Sequence, residues 1–167
     1  VDGVFATASL GYKDFLFLDG SFRRDKSSTL PVKNNAYNYP AASLGFVFSK
    51  LISNDLPWLS YGKLRANYAE VGASAPAHRL YDTYIINTSF GSSSLTSASL
   101  TKNNPDLKPE RTKSVEYGVE MQFFKNRVGF DFTYYNTKTK DQILPAPVSR
   151  STGYSAKYIN AGEVQNK

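Results

Sequence analysis

The chain contains no cysteine and a single histidine among its 167 residues. The lack of cysteine excludes disulfides, thiolate catalysis and cysteine-based zinc sites. His78 has no second histidine and no carboxylate at ligand spacing nearby, and a metal site normally needs several ligands at compatible positions. We therefore expect no metal and no other cofactor.

Long apolar runs and dense charge blocks are also missing. Hydrophobic residues make up 41% of the chain, but they are interleaved with polar ones, and no run approaches the roughly 18 residues of a spanning helix. The net charge of +6 is spread along the chain, so nucleic-acid binding is not expected. The serines at 92–94 lack a nucleophile elbow or a base, and Glu116 and Glu120 are too far apart on one strand for a glycosidase pair. We expect no enzyme.

Alternation of apolar and polar residues is the most informative feature that is present. Residues 113–140 contain two alternating segments around a four-residue turn. The apolar positions of the two segments are Val115, Tyr117, Val119, Met121 and Phe123, and Val128, Phe130, Phe132 and Tyr134. Because successive side chains of a strand point to opposite faces, this pattern predicts a long antiparallel hairpin with one apolar and one polar face. Each arm supplies about 10 residues, the length a tilted strand needs to cross a bilayer.

Similar alternation predicts strands over residues 4–12 and 16–23, from Tyr39 onward, and over 59–71. The connections alternate in length: short at 13–14, long at 24–38, short to medium at 50–58, long and irregular at 72–110, short at 124–127, and long from Asp141. Outer-membrane barrels have short turns on one rim and long loops on the other. The pattern thus favours a membrane barrel, although the same alternation also suits a soluble β-sandwich binding module.

Several motifs resemble those of known transporters. The segment NPDLKPE at 104–110, followed by a strand at 114–124, resembles the barrel of TonB-dependent outer-membrane transporters. Further segments resemble the SusC/RagA branch found in Bacteroidetes: LDGS from Leu18 with RRDKSS from Arg23, YPAASL from Tyr39, KLRANYAEVG from Lys63 and NAGEV from Asn160. Their order and spacing together are specific. Lys26 is a departure, since glycine often follows this aspartate in the branch.

This resemblance implies an all-β fold, with antiparallel strands forming part of a transmembrane β-barrel of about 22 strands in the full protein. Short turns would be periplasmic and long loops extracellular. Residues 1–167 would be one partial domain from the later half of the barrel, with six strands and the start of a seventh. The plug domain and both ends of the full chain would lie outside it.

The implied function is TonB-energised import of a glycan fragment or oligopeptide across the bacterial outer membrane, with a SusD-like surface lipoprotein as a lid. TonB would act through a part of the protein outside this chain. A TonB-dependent siderophore or cobalamin receptor, which needs no lid, is the alternative within the same barrel.

The alternation also predicts which residues meet lipid, lumen and partners. The apolar face is expected to contact outer-membrane lipid through Leu10, Leu16, Leu18, Phe22, Leu44, Phe46, Leu64, Tyr68, Val115, Val119, Phe130 and Phe132. Aromatics near the short turns, suited to an interfacial girdle, are Tyr12, Trp58, Phe123 and Phe124. Charged residues of the opposite face are lumen candidates or a solvated charge ladder: Asp19, Arg23, Lys63, Arg65, Glu116, Glu120 and Asp131. Loop aromatics are candidates for contacting solute or lid, or pack within their own loops: Tyr81, Tyr84, Phe90, Tyr154 and Tyr158.

Overall fold

Strands dominate the computed structural model, which describes residues 2–52 and 56–167. The strands are β1 Asp2–Tyr12, β2 Leu16–Lys26, β3 Ala36–Phe46, β4 Leu59–Ala73, β5 Tyr84–Phe90, β6 Ser93–Ala98, β7 Thr101–Lys102, β8 Glu110–Phe123, β9 Val128–Pro147 and β10 Ala156–Asn166. Short helical segments are α1 Ser49–Ile52 and two 3-10 turns, Val32–Asn34 and Arg150–Thr152. No helix in the described part of the chain is long and apolar enough to cross a membrane.

Eight of these strands form one sheet in the order β1-β2-β3-β4-β8-β9-β10-β7, and β5 pairs with β6 in a separate hairpin. All neighbours in the large sheet are antiparallel except β10 and β7. The sheet is open, since its two outer strands do not pair with each other. The predicted all-β, antiparallel wall is therefore confirmed.

The register places apolar residues directly opposite one another across the sheet. One row runs through Leu16, Phe46, Leu64, Val119 and Phe132. None of these side chains is buried: Leu64 is 46% exposed and Phe132 is 56% exposed, while Leu16, Phe46 and Val119 are half-buried. A soluble β-sandwich would bury this face under a second sheet, so that alternative is wrong.

The short turns lie together at one end of the sheet. Lys13 and Asp14 both have positive φ, and the Phe15 amide donates to the Tyr12 carbonyl at 3.2 Å. Aromatic rings pack at this end: Trp58 stacks on Phe123 with centroids 5.8 Å apart, and Tyr12 meets Phe15 edge-on at 5.5 Å. The structure places the four predicted girdle aromatics at this rim, while residues 53–55 of the adjacent connection lie outside the described residues.

The long-connection end differs from the sequence prediction in three places. Strand β2 continues to Lys26, and strand β3 begins as early as Ala36. Polar residues such as Arg24 and Asn38, which were predicted to lie in the connection, still pair across the two strands. Residues 72–110 are not irregular throughout, since they contain the β5–β6 hairpin and β7. Strand β9 does not end at Asp141, although this residue has a φ of 56°. The strand continues beyond it and pairs with β10, which is a complete seventh long strand.

Buried side chains also concentrate at the long-connection end. Leu30, Tyr37, Ala75 and Leu107 form a small core cluster. Tyr39, Leu80, Ile143 and Tyr158 pack against that cluster. The loops are therefore held by their own hydrophobic core, separate from the exposed apolar face of the sheet.

Candidate functional site

The polar face of the sheet holds all seven predicted charged residues. Strand alternation and register put Asp19, Ser43, Asn67 and Glu116 in one row across four strands. Lys63, Glu120 and Asp131 form a second row. Arg65 lies between the two rows, and Arg23 lies nearer the long-connection end, opposite Tyr39.

Arg65 is the most constrained of these charges. Its Nη2 donates to both Asp131 oxygens, at 2.8 and 3.2 Å, and to Thr133 Oγ1 at 2.6 Å. To reach β9, the side chain crosses β8 over Gly118, where an added Cβ would lie 2.7 Å from Arg65 Cγ. Arg65 Nε is buried without a partner in the described structure. A glycine at this position thus allows the guanidinium to span three strands.

Other polar-face residues form further side-chain contacts, two of them between neighbouring strands and one within a strand. Ser43 Oγ donates to Asp19 Oδ2 at 3.2 Å, and Asn67 Nδ2 donates to Glu116 Oε1 at 3.4 Å. Arg23 pairs with Asp25 on its own strand at 2.7 Å. These contacts are what a cross-strand charge ladder would show, and they also give the face a fixed pattern of donors and acceptors.

Three asparagines and a buried leucine fix the NPDLKPE motif at the long-connection end. Leu107 is fully buried in the core cluster. Asn103 Nδ2 donates to the Tyr81 carbonyl at 2.7 Å, and Asn104 Nδ2 donates to the Tyr158 carbonyl at 3.0 Å. Asn160 Oδ1 accepts from the Lys108 amide at 2.8 Å, while its Nδ2 donates to the Lys108 carbonyl at 2.7 Å.

The motif therefore ties three segments of chain together at the level of the loops. Sequence reasoning used this motif for family resemblance and missed these structural roles of the asparagines. The signal was available in part, because an asparagine before proline commonly starts a turn. Asn160 gave no comparable signal, since its partner is 52 residues away.

The predicted loop aromatics fall into two groups. Tyr81, Tyr84 and Phe90 are exposed, with Tyr84 76% and Phe90 81% accessible. Tyr154 instead donates its hydroxyl to Asp82 at 3.3 Å, and Tyr158 packs on the core cluster and under the Arg79 guanidinium. The negative charge of the Asp82 carboxylate raises the pKa of Tyr154 above its ordinary value. Tyr154 and Tyr158 therefore pack within their own loops, whereas Tyr81, Tyr84 and Phe90 are accessible to another molecule.

No group of three or more histidine, cysteine, aspartate or glutamate side chains is placed to hold a metal among residues 2–52 and 56–167. His78 is exposed, and its carbonyl accepts a hydrogen bond from Asn103 Nδ2 at 3.2 Å. Through this hydrogen bond, His78 contributes to the structure of its loop.

Comparison with known proteins identifies the barrel. The family model "TonB dependent receptor-like, beta-barrel" matches residues 1–167. Two TonB-dependent receptors of Formosa agariphila, P3 and P39, are 29% and 30% identical over 98% and 100% of this chain. The chain spans only 17% and 16% of their lengths.

Solved structures share the same fold. The RagAB peptide importer in its "closed-closed" state aligns with a TM-score of 0.87 and 22% identity, over 98% of this chain and 18% of that chain. The siderophore receptor PirA from Acinetobacter baumannii aligns with a TM-score of 0.65 and 17% identity, over 98% of this chain and 24% of that chain. The predicted TonB-dependent outer-membrane barrel is confirmed: this chain belongs to the TonB-dependent receptor-like β-barrel family and forms part of the wall of an outer-membrane barrel.

Proposed function

We propose that the full protein imports a nutrient, a glycan fragment or an oligopeptide, through its barrel with energy supplied by TonB. The observation that carries this proposal is the family match over the whole chain. The wall itself agrees with the match, since one of its faces is apolar and exposed and the other is polar. Hydrocarbon cannot satisfy polar groups, so the apolar face meets lipid and the opposite face lines the lumen. Residues 1–167 are one partial domain of that barrel.

The SusC/RagA-like form of transporter is favoured over a siderophore receptor by shape. The RagAB structures fit with TM-scores of 0.82 to 0.87, against 0.64 and 0.65 for the two PirA receptors. RagAB is described as a peptide importer, which supports an oligopeptide or another polar oligomer as solute.

On the polar face, the fixed Arg65–Asp131 pair and the row from Asp19 to Glu116 offer both charge signs and several hydrogen-bond groups to the lumen. Such a mixed surface suits contact with a plug domain or with a polar solute better than selection of one charge. Asp19, Arg23, Lys63, Arg65, Glu116, Glu120 and Asp131 are proposed as lumen residues on this basis.

A SusD-like lipoprotein is proposed as the lid, and the exposed group Tyr81, Tyr84 and Phe90 as part of the surface that it touches. These side chains protrude at the long-connection end, which faces the outside in barrels of this class. Exposed aromatics at such positions commonly supply binding energy at interfaces.

The proposal is tested by uptake in the native host. Labelled oligopeptide and glycan mixtures are offered to wild-type cells and to strains lacking this protein, TonB or the proposed lid lipoprotein. We expect accumulation of one solute class that needs all three proteins. Uptake that continues without TonB would contradict energised import, and loss of iron–siderophore or cobalamin uptake in the strain lacking this protein would favour the alternative receptor.

A further inference from the structure

Four basic residues face one another at the long-connection end of strands β8 and β9. Arg111 lies directly opposite Lys140, and Lys113 lies directly opposite Lys138. Like charges at directly opposed positions of an antiparallel pair repel and destabilise the sheet. We call Arg111, Lys113, Lys138 and Lys140 the basic ladder.

The described structure compensates this repulsion only in part. Glu70 Oε1 lies 2.7 Å from Lys113 Nζ, and Glu163 is shared between Lys138 and Lys140, with Oε2 3.3 Å from Lys140 Nζ. Arg111 forms no ion pair with the described residues. Two carboxylates therefore serve four cations, and a net positive charge is left on an exposed surface.

The basic ladder continues the apolar face and not the polar one. Lys113 has the same strand parity as Val115 and Tyr117, and Lys138 has the same parity as Tyr134. Lys113 lies two residues beyond Val115, about 7 Å along the strand. The positive charge thus stands immediately outside the lipid-facing band, at the end that carries the long loops.

On that side of the same face, strand β2 adds Arg24 and Lys26, which also follow the apolar residues of that strand. A depression next to Arg111 is lined by Lys33, Lys108 and Asp141, so one further carboxylate is present there. Lys33 is already paired with Asp106. Basic residues beside an apolar membrane surface are the arrangement that recognises anionic head groups.

We propose that the basic ladder is a binding site for the phosphate groups of a phosphorylated glycolipid in the outer leaflet. The acyl chains would lie along the apolar face, and the phosphates would accept hydrogen bonds from the lysine and arginine side chains. Binding would supply the missing negative charge between β8 and β9. This lipid site is separate from import, since it lies on the outer surface of the barrel wall and not on the proposed lumen face.

The test uses full-length protein purified in neutral detergent and titrated with bisphosphorylated lipid A, with bound lipid counted by native mass spectrometry. The variant Arg111→Gln with Lys140→Gln removes one opposed pair, while Glu163 keeps Lys138 as its partner. We expect binding at least about tenfold weaker than in the wild type, because each basic residue near an anionic surface contributes to affinity. Dephosphorylated lipid A should bind wild type and variant equally.

The matched control is Lys125→Gln with Arg127→Gln, which removes the same charge from the turn at the opposite end of the same hairpin. Both residues are exposed and form no ion pair in the described part of the chain. This control should bind the bisphosphorylated lipid as the wild type does. Equal loss in both variants, or no loss in the Arg111 and Lys140 variant at unchanged thermal stability, would overturn the site, whatever solute the protein imports.

Discussion

The connection between β4 and β8 contains two segments that the fold treats in opposite ways. The 103–109 segment is fixed by asparagine hydrogen bonds and by the fully buried Leu107. The β5–β6 hairpin, only a few residues earlier, is exposed at every position of both strands. The difference teaches that a long loop of such a barrel can combine a packed base with an exposed projection.

The largest expected effect comes from removing the apolar anchor of the fixed segment. Leu107→Ala should lower the free energy of unfolding of the loop end by about 2–5 kcal/mol, because it leaves a cavity in a small core. Thermal unfolding and limited proteolysis of the full-length protein in detergent measure the change. Leu95→Ala, in the exposed hairpin, is the matched control and should change stability by no more than about 0.5 kcal/mol. Equal effects would show that the two segments do not differ as described.

A smaller loss is expected from the polar contacts of the same segment. Asn160→Ala removes the two hydrogen bonds to Lys108 and a third, at 2.9 Å, to the Asp141 carbonyl. We expect a cost of about 0.5–1.5 kcal/mol, since the hydrogen bonds are lost but the exposed backbone groups of Lys108 and Asp141 can bond to water instead. Faster protease cleavage near residue 108 is the measurement. Unchanged cleavage would mean that Leu107 alone holds the segment.

The exposed hairpin should respond in function and not in stability. Tyr84→Ser with Phe90→Ser removes two large exposed rings, and the unfolding temperature should stay close to that of the wild type. Co-purification of the proposed lid lipoprotein should fall, because the rings are part of the proposed contact surface. A variant that retains the lid fully would place the contact elsewhere, and one that unfolds early would show that the hairpin packs within the barrel.

The smallest effect concerns the ion pair between Lys33 and Asp106, which joins two loops at the surface. The hydrogen bond from Lys33 lowers the pKa of Asp106. The stabilisation is therefore present above the ordinary aspartate pKa of about 3.9 and is lost as the pH falls through the lower value of the folded protein. The measurement is the rate at which an acid protease cleaves these loops at a series of pH values across this range. In the Asp106→Asn variant, this rate should depend less on pH than in the wild type. An identical profile in wild type and variant would contradict the contact.

Much of the wall was predictable from local pattern. The period of two in residues such as Val115, Val119 and Phe132 placed the strands and their apolar face, because one register slip would turn every side chain to the wrong side. The 72–110 stretch was harder, since hairpin β5–β6 has serine and threonine where a clear apolar stripe would be expected. The continuation of β9 beyond Asp141 was missed for a different reason: its partner strand β10 stabilises it, and no local pattern in the sequence predicts that partner.

The predicted polar-face residues were grouped correctly on one side, but their partners were not foreseeable. The contact of Arg65 with Asp131 spans 66 residues of sequence and depends on Gly118 of a third strand. In the sequence, Tyr154 and Tyr158 could not be told apart from the exposed loop aromatics. In the folded loops, Tyr154 hydrogen-bonds to Asp82, and the Tyr158 ring packs against the Arg79 guanidinium.

The sequence by itself determined the strand faces, the alternation of short and long connections, and the family resemblance, because each depends on neighbours a few residues apart. The tertiary structure decided which loop residues are buried, which opposite charges meet, and that basic residues such as Arg111 and Lys140 lie directly opposite each other. Those outcomes depend on strand order and register, which bring together residues that lie tens of positions apart in the chain.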